Sequence, residues 1–117
     1  MSRKGMSYSM SPKMPIMVRC RGARESYRFT YVDHDGSIAF AAAIAPRERA
    51  CATTGCAVVL SLAGVGTTPE SHADAHKFAA DARAPFVFGL PNAWVLAPHR
   101  AGAHNWEGHG IASALAA

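Results

Sequence analysis

The 117-residue chain has no apolar run of about 18 residues, the length a membrane-crossing helix needs. Cysteine is scarce: Cys20, Cys51 and Cys56 are too few and too odd in number for a disulfide framework. A reduced, intracellular setting is the expectation that follows. Ala-Thr-Thr-Gly separates Cys51 from Cys56, a spacing open to a loop disulfide or to half of a zinc site. No second Cys/His pair stands at finger spacing, so two free loop thiols are the plainer expectation. Acidic residues are nearly missing at the N-terminus. Residues 1–28 hold seven basic side chains against Glu25 alone, while the rest of the chain holds five basic against seven acidic. This basic stretch carries few aromatics, so it offers no stacking platform and a nucleic-acid partner is not favoured. No apolar segment of roughly 7–15 residues follows the charges, which argues against a secretory signal and leaves a weak likeness to a transit peptide.

Several phosphate-binding signatures are also missing. Gly64-x-Gly66 has no third glycine for a dinucleotide fingerprint, and no Gly-Lys-Ser/Thr is present for a P-loop. His72 and His76 stand four apart on a candidate helix, but no glutamate follows His72 and no third ligand is fixed by spacing. They are expected on a solvated helix face. His99, His104 and His109 recur in a glycine-rich stretch and are expected as ordinary loop histidines. No metal and no cofactor are therefore expected.

What is present suits one globular domain: half of the residues are hydrophobic and 17% are charged. Residues 1–26 read as a basic arm without apolar periodicity, and residues 27–117 as the body. Tyr27–Val32 is aromatic and β-branched, hence a strand. Asp33-His34-Asp35-Gly36-Ser37 has turn chemistry, and Ser37–Ala45 completes an antiparallel hairpin closed by Pro46. Residues 46–55 are expected as a polar loop. Ala57–Leu62 is a near-continuous apolar run, as expected of a strand covered on both faces. The glycine-rich turn Ala63-Gly64-Val65-Gly66 follows it. Thr68 then fits an N-cap with Pro69 at the first helical position, predicting a helix over 69–83. Ala93–Ala97 is a further buried strand, stopped by Pro98, and Ile111–Ala117 opens another helix. The fold class predicted is α/β: two antiparallel strands, then a β-α-β unit with parallel strands.

The turn at 64–66 has the shape chemistry needs at an oxyanion site, because small residues let backbone amides point at developing negative charge. A tight strand-to-helix turn without chemistry has the same signature. Trp106 lies in Gly102-Ala103-His104-Asn105-Trp106-Glu107-Gly108. With Arg100, this loop offers a pocket lining of Arg100, His104, Trp106 and Glu107, or simply a packed loop anchor.

Four segments taken together resemble a known family. They are Phe29-Thr30-Tyr31-Val32-Asp33-x-Asp35-Gly36-Ser37-Ile38, then Val58-Val59-Leu60-Ser61-Leu62-x-Gly64-x-Gly66, Pro69-Glu70-Ser71-x-Ala73-Asp74, and Ala93–Gly108. In this order the chain resembles the N-terminal part of α/β-hydrolases of the prolyl-oligopeptidase (peptidase S9) type, which cleave peptide or ester bonds. The resemblance implies that Gly64, Val65 and Gly66 form the oxyanion loop, with Ala63 where the family has a bracing histidine. It also implies a partial α/β-hydrolase fold truncated before the nucleophile elbow, since no Gly-x-Ser-x-Gly occurs in the sequence. No catalytic residue is assigned in this chain. The substrate, a small molecule or peptide, would be met only by a completed enzyme. The alternatives are a small α/β binding module or a histidine-based metal binder. The apolar strand 57–62, lacking a second neighbour, is expected to expose an edge and to favour self-association.

Overall fold

A computed structural model gives the fold and describes residues 15, 18, 20–22, 24–48, 50–79, 81–83 and 86–117. Most of the basic arm expected over 1–26 lies outside the described residues. Its last part is tied to the body: Arg21 donates to Asp74 Oδ2 at 2.9 Å, and the Ser26 amide donates to Asp74 Oδ1 at 3.3 Å.

Strand β1 (Tyr27–Val32) and strand β2 (Ile38–Ile44) pair antiparallel with Phe29 opposite Ala41. Their turn is built as the sequence indicates. The Asp33 amide donates to Ser37 O at 2.8 Å, Gly36 takes φ +86°, and Asp35 Oδ1 accepts from the Ser37 amide and hydroxyl. A short helix α1 (Cys51–Thr54) follows, then β3 (Ala57–Leu60), α2 (Pro69–Asp74), β4 (Lys77–Ala79), β5 (Phe86–Phe88), β6 (Ala93–Pro98) and α3 (His109–Ala116). The main sheet has the order β1-β2-β6-β3, with β6 antiparallel to β2 and parallel to β3. β4 and β5 form a separate antiparallel ribbon.

One face of the sheet carries the core. Ala42, Ile44, Val95 and Ala97 pack with Ala73 of α2, and Phe88 and Leu90 close over them. The alanines let α2 lie close to the sheet, while Ile44 and Val95 are fully buried and contribute about 1.5–3 kcal/mol each by leaving water. Gly89 sits at this contact with φ +78°, and a Cβ there would lie 2.7 Å from Ile44 Cγ2. The opposite face presents Tyr27, Phe29, Val58, Trp94 and Leu96 around an open apolar groove.

The layered α/β arrangement, and with it the partial α/β-hydrolase fold, is not what forms. The described residues fold as a small mixed four-stranded sheet beside a two-stranded ribbon, with only short helices among them. The helix predicted over 69–83 stops at Asp74. Thr68 caps it as expected, accepting from the Ser71 amide at 3.1 Å, with Pro69 in its first turn. Beyond Asp74 a competing partner wins. Lys77-Phe78-Ala79 pairs with Phe86-Val87-Phe88, a run that offers a β-branched residue and two aromatics to pair with. A helix of six residues spans only about 9 Å, too little to cover a sheet as a layer. β3 is not covered on both faces either: it lies at the sheet edge, and Val58 is 60% exposed. Finally, Cys51 and Cys56 are not free thiols. They form a disulfide that staples the segment expected as plain loop.

Candidate functional site

The end of β3 feeds the glycine turn. The Ser61 amide still donates to Leu96 O at 2.8 Å, and then the chain leaves the sheet. Gly64 and Gly66 have open space where a side chain would stand, and Gly66 takes φ +79°, a conformation that suits glycine. Val65 between them is 77% exposed. The turn borders a cleft of about 410 Å³ whose lining includes Arg28, Phe40, Thr68, His99, Arg100 and Gly102. Arg100 thus lines the same cleft as Gly64, Val65 and Gly66. Phe40 carries both the Arg28 guanidinium, 4.4 Å from its centroid, and the His99 ring, stacked at 4.2 Å. Arg28 also pairs with Glu70 through Nε, which holds the Glu70 carboxyl below the usual carboxylate range.

The rest of the predicted pocket loop is divided. Trp106 braces the turn: its indole N–H donates to Ala63 O at 2.9 Å. This hydrogen bond links the 99–108 loop to the start of the turn. Trp106 takes φ +58°, and its amide donates to His104 Nδ1 at 3.1 Å. The two rings meet edge to face at 5.1 Å. His104 in turn presses on Gly110, where a Cβ would lie 2.4 Å from Nδ1. Glu107 stays exposed, and its carbonyl accepts from the Gly110 amide.

A second cleft of about 430 Å³ lies beside the first and shares His99 with it. Here His34, His104 and His109 face Asp33, Asp35 and Ser113. Asp33, His34 and Ser113 have the residue types of a catalytic triad but not its wiring. Asp33 Oδ1 lies 2.8 Å from His34 Nδ1, and Ser113 Oγ lies 3.4 Å from that same nitrogen. The Ser113 hydroxyl instead donates to Asp33 Oδ2 at 2.7 Å, so its proton goes to the carboxylate and not to an imidazole base. Ser113, and after it His34, hold the Asp33 carboxyl below the ordinary range.

His72 and His76 do not lie on a solvated helix face. Both converge on Ser61: His72 Nδ1 and His76 Nε2 each stand 2.8 Å from Ser61 Oγ. The hydroxyl can donate to one ring and accept from the other. Burial, with His76 close by, pushes the His72 pKa down, which favours a neutral ring. Ser61 is 7% exposed and lines neither cleft, so it meets no substrate from either. Sequence reasoning pairs His72 with His76 by spacing but does not find Ser61, eleven residues away on another element. The apolar neighbours of Ser61 gave no signal of it.

Among the described residues, no group of three or more His, Cys, Asp or Glu side chains is placed to hold a metal ion. No helix among them is long and apolar enough to cross a membrane. Comparison with protein-family models, curated proteins and solved structures finds no match to this chain.

Proposed function

We propose that this chain carries the oxyanion-binding element of a serine hydrolase acting on peptide or ester bonds, and that Ser61 and Ser113 are not its nucleophile. The observation that carries this is the open turn Gly64-Val65-Gly66 at the end of β3, bordering a cleft with two guanidinium groups. In acyl transfer a nucleophile adds to the carbonyl carbon, and the carbonyl oxygen takes up negative charge. Backbone N–H groups about 2.7–3.1 Å from that oxygen stabilise it. Glycine at 64 and 66 lets a substrate approach the backbone without steric hindrance. Trp106 fixes the start of the turn through Ala63 O. The candidate nucleophiles lack what the reaction needs: Ser61 is enclosed, and Ser113 gives its proton to Asp33. Among the described residues, neither of these serines is wired as the nucleophile of a triad.

Two measurements test this. A fluorophosphonate probe is expected to leave the pure chain unlabelled, and an adduct mapped to Ser61 or Ser113 would overturn the assignment. Phenylphosphonate, a tetrahedral anion, is expected to shift the amide resonances of Val65 and Gly66 in an ¹⁵N-labelled chain. Gly66→Pro, which removes one donor and cannot take the φ of +79° that the turn requires, should abolish the effect.

The outer edge of β3 pairs with no strand among the described residues, and Val58 on it is exposed. Self-association through that edge is part of the same proposal. Light scattering is expected to show species larger than a monomer, reduced by Val58→Lys. A monomer at all concentrations would remove it.

A further inference from the structure

We infer that the cleft at the glycine turn selects substrates bearing a carboxylate close to the scissile carbonyl, with Arg100 as the selecting residue. This rests on the oxyanion assignment of Gly64–Gly66 and names the substrate class for that site. Three observations support it. Among the described residues, the lining of the cleft contains Arg28, Arg100 and His99 and no aspartate or glutamate. Arg28 is already paired with Glu70, which lies outside the lining, whereas Arg100 has no carboxylate within salt-bridge distance among the described residues. Arg100 Nε and His99 Nδ1 are also buried polar atoms without a hydrogen-bond partner.

Buried N–H donors in native proteins are nearly always satisfied, so the unpartnered Arg100 Nε on the cleft wall calls for an acceptor. A guanidinium presents a planar fork of N–H donors, which matches the two oxygens of a carboxylate. His99 is held flat on Phe40 and its amide donates to Phe40 O at 3.0 Å, so the wall that carries Arg100 is anchored to β2. The cleft then has two functions, carried by two parts of its lining. The glycine turn faces a carbonyl oxygen that becomes charged, and Arg100 faces an oxygen pair that is charged throughout. A neutral amide in place of the carboxylate keeps the first interaction and loses the second.

Hippurate and its neutral counterpart hippuramide separate these interactions, because both present a carbonyl and only hippurate carries a carboxylate. Titration of each into the full ¹⁵N-labelled chain, followed by amide resonances, is the test. Hippurate is expected to shift the amides of Gly64–Gly66 and of Arg100–Gly102. Its affinity should fall between about tenfold and a hundredfold in Arg100→Gln, the loss expected for hydrogen bonds to a charged group. Arg100→Lys, which keeps the charge and loses the fork, should lie between the two. Hippuramide should bind more weakly than hippurate by a similar factor and be indifferent to both substitutions. Equal binding of the two probes at the turn, or unchanged hippurate affinity in a folded Arg100→Gln, would overturn the role of Arg100 and leave the oxyanion assignment standing. Absence of any shift at Gly64–Gly66 with either probe would overturn both.

Discussion

Replacing Trp106 by phenylalanine tests how the glycine turn is held. The substitution keeps an aromatic ring in the half-buried position and removes only the indole N–H that donates to Ala63 O at 2.9 Å. Ala63 is 2% exposed, so its carbonyl gains little water in exchange. Leaving a buried acceptor without its partner costs about 1–3 kcal/mol. For a folded body of this size, 1 kcal/mol corresponds to roughly 4–8 °C in Tm, so a fall of about 5–20 °C is expected. The loss is local before it is global, because this bond ties the 99–108 loop to the end of β3. Thermal unfolding by circular dichroism measures the first effect, and amide hydrogen exchange at residues 63–66 measures the second. Trp106→Phe should speed exchange at the turn, and Trp106→Ala should add the loss of ring packing on His104. If Trp106→Phe unfolds within about 2 °C of the parent and leaves exchange at 63–66 unchanged, the brace contributes nothing and the reasoning fails.

Gly89→Ala combines a left-handed backbone with a Cβ 2.7 Å from Ile44 Cγ2 and should cost about 2–5 kcal/mol in denaturant unfolding. The double substitution Cys51→Ser/Cys56→Ser opens a short closed loop and should cost roughly 2 kcal/mol, with no effect of reductant on the variant. The His72 pKa is lowered in the folded state, so the unfolded chain binds more protons between the two pKa values. Its contribution to stability is present above the ordinary histidine value of 6.5 and is lost as pH falls below it. Unfolding midpoints measured from pH 7.5 to 5 should show this fall, and His72→Gln should flatten it. An unchanged slope in that variant would place the titration elsewhere.

The sequence by itself determined the features whose causes are local. β1, the Asp-Gly turn, β2, β3 and β6 form where β-branched and aromatic residues alternate with turn chemistry. The Thr68 cap and Pro69 start α2 because both act within four residues. The glycines of the 64–66 turn are read the same way; the cleft beside them is formed by residues brought from other parts of the chain. Other features depend on partners distant in the chain, and only the tertiary structure decided them. α2 ends at Asp74 because Lys77–Ala79 finds Phe86–Phe88, a pairing that no propensity over 69–83 reveals. That pairing replaces the expected helical layer with a ribbon. Ser61 meets His72 and His76, and Trp106 meets Ala63, across elements joined by chain reversals. Ser113, His34 and Asp33 come together from opposite ends of the body, yet with a hydrogen-bond order that directs the proton to the carboxylate. A sequence gives residue types and spacings along the chain. Which nitrogen faces which oxygen is fixed only once the sheet order brings those elements side by side.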